Sequence, residues 1–243
     1  MRVTRVFVEQ KLVAGKGVGL PEQAGLHLTR VLRLDPGTPI TLFDGTGGEY
    51  QGTLERDGKN WWARVGAHDP VERESPLSIT LLQGVARGER MDLIIQKATE
   101  LGVARILPVL LERSVVKLDA KQRARRLEHW RAIAIAACEQ CGRNRVPDVP
   151  EPQSLGDAIA ALPDQGPRCL LAADGETPLA RVSAADGAVL LIGPEGGLAD
   201  NEQKFARANG FGAYRIGPRI LRTETAGLAA IASLQTSAGD FAR

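Results

Sequence analysis

Two short stretches of this 243-residue chain hold residue types whose spacing permits chemistry. The first is Gly193-Pro194-Glu195-Gly196-Gly197, entered directly from an apolar run at 188–192 that reads as a fully buried strand. Glycine at three of its five positions permits positive φ and lets a ligand approach the backbone closely. The second is Gly217-Pro218-Arg219-Ile220-Leu221-Arg222-Thr223-Glu224-Thr225, which leads into an alanine-rich segment. Its polar end stands at a helix entrance, where Thr223 or Glu224 would cap the first turn. Capping explains one such residue, not a polar run between apolar stretches. The first stretch lacks the lysine of a P-loop and the G-x-G-x-x-G spacing of a dinucleotide site. The histidines lie outside both stretches, so no Ser-His-Asp or Cys-His set assembles there. Neither HExxH nor a carboxylate-rich metal cluster occurs. These exclusions leave group transfer that needs neither a metal nor a nucleophilic side chain.

Loops of this kind belong at the carboxyl edge of a sheet, and the chain from residue 77 onward supplies one. Strands are expected at 77–82, 105–111, 169–173, 188–192 and 214–216. Helices are expected at 90–101, ending at Gly102, and at 119–141, 154–162 and 201–209, with a last one from Thr225. Strand–helix alternation predicts an α/β domain with a largely parallel sheet. Before it, turn dipeptides such as Pro36-Gly37, Asp44-Gly45, Gly47-Gly48 and Asp57-Gly58 separate short apolar stretches, the pattern of a small β-barrel. Arg30, Arg33, Phe43, Trp61 and Trp62 are its candidate RNA contacts, with Phe43 and one tryptophan better read as core. The charged, proline-bracketed stretch at 69–76 marks the boundary, giving domains at 1–72 and 73–243.

Composition is that of an ordinary globular protein, with a net charge of only +2, so charge balance alone does not announce nucleic acid. Basic residues do cluster between Arg113 and Arg145, a local excess that suits either a phosphate backbone or a solvated helix face. Three cysteines do not make a disulfide framework and fit a reducing cytosol. Cys138-x-x-Cys141 falls on one face of a helix without further metal ligands in spacing, and reads as core. The amino terminus lacks the apolar region of a signal peptide and no run reaches membrane-spanning length, so a cytoplasmic protein is expected.

Seven segments, in order, carry a resemblance that runs almost end to end. They are HLTRVLRL at 27–34, LFDGTGGEY at 42–50, QKATELGV at 96–103, RSVVK at 113–117, EQCGRNRVP at 139–147, LLIGPEGGL at 190–198 and GPRILRTETA at 217–226. With them the chain resembles the RsmE family of ribosomal RNA uridine-N3 methyltransferases, in the SPOUT superfamily. One departure is His129, where the family commonly has an arginine before the tryptophan. The resemblance implies a PUA-like barrel followed by a methyltransferase domain with a deep trefoil knot near its C-terminal end. It implies a homodimer that binds S-adenosylmethionine (SAM) and no metal, and acts on 16S ribosomal RNA of the small subunit. By family pattern the cofactor lies against Gly193, Glu195, Gly196, Gly197, Ile216, Gly217, Leu221, Arg222 and Thr223. Arg222 and Glu224 are then the catalytic candidates, and Arg30, Arg33, Lys97, Arg113 and Arg143 the RNA contacts. A ribose 2′-O methylase of the same superfamily and a non-catalytic RNA-binding protein are the alternatives.

Overall fold

A computed structural model describes residues 3–26, 28, 31–58, 60–163, 166–185 and 187–241. His27 and Arg30 lie outside the described residues. The chain divides into two units, one of Met1–Glu74 with Cys138–Val146, the other of Ser75–Ala137 with Pro147–Arg243.

The first unit is a five-stranded sheet built from β1 (Arg5–Phe7), β2 (Gly17–Gly19), the short helix α1 (Glu22–Leu26), β3 (Pro39–Phe43), β4 (Glu49–Asp57) and β5 (Asn60–Asp69), in the order β1-β3-β4-β5-β2. Alternation along β4 and β5 turns Leu54, Ala63 and Val65 inward, where they pack with Val6, Val18, Ile40 and Leu42. Phe43 is fully buried against Phe7, while Trp61 is partly buried and Trp62 is 40% exposed. Cys138–Val146 completes this unit. Asn144 and the Arg143 carbonyl accept from Arg5, and Glu139 accepts from the Phe7 amide.

The second unit comprises β6 (Ile79–Gly84), α2 (Glu89–Glu100), β7 (Arg105–Leu110), α3 (Ala120–Cys141, to Ala137), β8 (Gln153–Ser154), α4 (Leu155–Ala160), β9 (Arg168–Leu171), β10 (Thr177–Pro178), β11 (Ala188–Ile192), α5 (Asp200–Ala208), β12 (Phe211–Arg215) and α6 (Thr223–Ala238). Its strands form a parallel seven-stranded sheet in the order β10-β12-β9-β11-β6-β7-β8. The central β6 and β11 are buried at every position, as a sheet covered on both faces requires. One face packs Leu82, Val109, Leu170 and Leu191 against Leu155, Ile159 and Ala206. On the other, α6 lies against β6, β11 and α2. Gly227 makes that approach possible: a Cβ there would stand 3.4 Å from Gln83 Oε1 and 3.7 Å from Ile192.

The expected elements are present, with three corrections. The last strand begins at Phe211, just after the Gly210 turn, rather than at Tyr214; FGAYR pairs along β9 although its glycine and alanine give no strand pattern. Helix α6 starts at Thr223, two residues before the expected Thr225, with Arg222 as its N-cap residue and no side-chain cap. The two-residue edge strands β8 and β10 are too short to read from periodicity. Among the described residues, no helix is long and apolar enough to cross a membrane.

Candidate active site

Because the strands are parallel, the loops leaving β9, β11 and β12 emerge at one edge of the sheet, and they enclose a cavity of about 640 Å³. Its walls include every expected cofactor residue: Gly193, Glu195, Gly196, Gly197, Ile216, Gly217, Leu221, Arg222 and Thr223. Arg113 and Glu224 line it as well.

The loop at 193–198 is compact for backbone reasons. A Cβ at Gly193 would meet the Gly197 backbone at 2.9 Å, and one at Gly196 would meet Arg113 Cβ at 3.0 Å. Gly197 has φ 69°, with open space where a side chain would project. Gly217, in the other loop, has φ 66°. The two loops are joined through Thr223. Its hydroxyl donates to the Gly193 carbonyl at 2.6 Å and accepts from Gln83 Nε2 at 2.9 Å. The expected capping role for Thr223 is therefore replaced by a loop-to-loop bond. Gln83, fully buried at the end of β6, also donates to the Gly84 carbonyl.

Charge in the cavity wall is mixed, with Arg90, Arg113, Arg219 and Arg222 against Asp174, Glu195 and Glu224. Partial burial pushes the Glu195 carboxyl up, but the Arg87 amide and the Arg90 guanidinium outweigh it and hold the group below its ordinary range. The neighbouring Glu195 carboxylate in turn raises Arg90. Glu224 Oε1 lies 3.9 Å from Arg90 Nε, and its Oε2 is buried with no partner among the described residues.

The remaining expected RNA contacts are elsewhere. Lys97 sits on α2, paired with Glu100 at 2.9 Å. Arg33 is an exposed residue of the first unit with φ 53°. Arg143, in the first unit, has a side chain that is 6% exposed and held by Glu74. Cys138 is likewise core, its thiol pushed up to about 12 by burial. Arg90 and Gln83 were absent from the sequence reading. The signals were there in weak form, a cation in the first turn of a helix and an amide ending an apolar strand.

A family model described as an RNA methyltransferase domain matches residues 73–235, and an RNA methyltransferase PUA domain matches residues 20–60. The chain is 34% identical over 220 residues to the ribosomal RNA small subunit methyltransferase E of Bacillus subtilis, covering 86% of this chain and 85% of that one. It belongs to the RsmE family. Among solved RsmE structures, that of Neisseria gonorrhoeae bound to S-adenosyl methionine is similar with a TM-score of 0.90 and 39% identity, covering 99% of this chain and 100% of that one. A Legionella pneumophila protein assigned as a methyltransferase and solved with bound SAM has a TM-score of 0.91 at 37% identity, with 99% and 100% covered.

Proposed function

We propose that this protein is a SAM-dependent methyltransferase that methylates N3 of a uridine in 16S ribosomal RNA, using the cavity at the carboxyl ends of β9, β11 and β12. One observation carries the reading: two loops picked out for their chemistry line a single cavity, in a chain matched end to end by a SAM-bound RsmE. The lining fits that group. Ile192, Ile216 and Leu221 offer an apolar slot for a planar base, and the glycine-opened backbone beside them supplies donors and acceptors.

When bound, SAM supplies an electrophilic methyl group. Uracil N3 carries a proton, so it accepts a methyl only as that proton leaves and charge spreads over O2 and O4. In this reading Arg222, a permanently charged planar donor fork that lines the cavity, stabilises that charge. Glu224 is placed as the proton acceptor, with Oε2 uncommitted to any described protein group. Orienting two reacting groups can lower a barrier of this kind by roughly 7–11 kcal/mol. Gly193, Glu195, Gly196, Gly197, Ile216, Gly217, Leu221 and Thr223 hold the cofactor in this reading. Arg30, Arg33, Lys97 and Arg113 hold RNA.

The same reading makes the enzyme a cytoplasmic homodimer acting on the small ribosomal subunit, with its C-terminal segment threaded as a trefoil knot. What supports threading is membership of the RsmE family. The test is methyl transfer from labelled SAM to free 16S RNA and to small subunits lacking their modifications, followed by nucleoside analysis. N3-methyluridine is the expected product. A 2′-O-methylated nucleoside would overturn the base specificity, and neither transfer nor SAM binding would leave an RNA-binding protein.

A further inference from the structure

Arg90 occupies the first turn of α2, where the helix dipole disfavours a cation and where Glu89 and Asp92 already supply the favoured charge. Its identity therefore answers to something other than the helix. Its Nη1 donates to Glu195 Oε1 at 2.8 Å, and the same oxygen accepts from the Arg87 amide at 3.0 Å. On its other side, Nε lies 3.9 Å from Glu224 Oε1. One guanidinium thus touches three segments that line the cavity: the entrance to α2, the loop after β11, and the start of α6. Two carboxylates facing one cavity repel each other unless a cation stands between them.

We infer that Arg90 is a positioning residue, a clamp that fixes the loop after β11 through Glu195 and holds Glu224 beside it by a longer ion pair. The two carboxylates then have different duties. Glu195 is neutralised by Arg90 and a backbone amide and serves as the latch. Glu224 lines the cavity with a buried oxygen that no described protein group bonds, and is the carboxylate left available to a ligand. The direction of the Glu195 and Arg90 shifts, each favouring its charged form, agrees with the geometry. This inference rests on the proposed methyltransferase reading for the identity of the ligand, but not for the clamp itself.

The test compares Arg90→Ala, Arg90→Lys, Glu195→Gln and the Arg90→Ala/Glu195→Gln double variant of the full chain. SAM binding is read by calorimetry, and amide exchange at 195–198 is read by mass spectrometry on the ligand-free protein. Arg90→Ala and Glu195→Gln should each weaken SAM binding about tenfold, the low end for a charge-assisted bond at a half-exposed side chain. The double variant should be no worse than either single one, and Arg90→Lys should recover part of the loss. The loop should exchange faster in Arg90→Ala. Normal loop exchange in that variant, or fully additive losses in the double variant, would overturn the clamp. A wild-type chain that binds no SAM would instead sink the methyltransferase reading, and the exchange data would still judge the clamp.

Discussion

At Thr223 one hydroxyl serves both loops of the cavity, donating to the Gly193 carbonyl and accepting from Gln83. Thr223→Val keeps the shape and removes the bond, leaving the Gly193 carbonyl without that donor in a partly buried setting. That costs about 1–3 kcal/mol, measured by denaturant unfolding, and Thr223→Ser should restore most of it. Glu195 makes a separate prediction with pH. Its folded-state pKa is depressed, so its contribution is present above the ordinary carboxylate value of 4.5. It is lost as pH falls through that value and past the lowered one. The stability gap between wild type and Glu195→Gln should therefore narrow as pH falls through 4.5 and close below the lowered value. A gap that stays constant through that fall would mean the Arg87 and Arg90 contacts stabilise nothing. The family resemblance marked Thr223 and Glu195 as site residues, and linear reading offered Thr223 or Glu224 as a helix cap, whereas the Thr223 hydroxyl bonds the Gly193 carbonyl. A cap bond is local and can be read from spacing, whereas Thr223 and Gly193 are partners across thirty residues. Arg90 was missed for the same reason, since its partners Glu195 and Glu224 are remote in sequence.

The loop between β11 and α5 works as an element because Gly193 and Gly196 leave no room for side chains. Gly196 is the most informative. A Cβ there lies 3.0 Å from Arg113 Cβ and 3.3 Å from the Arg113 carbonyl, and valine adds two methyl groups to that contact. Gly196→Val should displace the loop and abolish SAM binding by calorimetry, while the core strands β6 and β11 keep their secondary structure by circular dichroism. Near-normal affinity would remove this loop from the cofactor site. The element was legible because fully buried β11 is a continuous apolar run ending in a glycine cluster, a signal carried by composition itself. Strand β12 was only half legible, since Gly212 and Ala213 contribute no apolar alternation; only pairing with Cys169 and Leu170 makes them a strand.

Across the whole molecule, the feature least visible in a linear reading is the return of Cys138–Val146 to the first unit. EQCGRNRVP stands out as a motif in the chain, yet nothing in its spacing names Arg5, Phe7 and Glu74 as its partners. Two of those partners, Arg5 and Glu74, are charged and largely buried: Arg5 is held by Glu49, the Arg143 carbonyl and Asn144, and Arg143 by Glu74. A fragment ending at Glu74 would keep the five strands but leave Glu74 and the Nη2 group of Arg5 without their partners. Breaking one buried pair costs about 3–5 kcal/mol, against a total of about 5–15 kcal/mol for an ordinary domain. Residues 1–74 alone should therefore give a poorly dispersed amide spectrum and no cooperative unfolding. Joining 138–146 to that fragment through a flexible linker should restore both, and adding Glu74→Ala to the joined form should remove most of the gain. If 1–74 alone unfolds cooperatively with the same midpoint as the joined form, the ion pairs decorate a sheet that its apolar core already sustains.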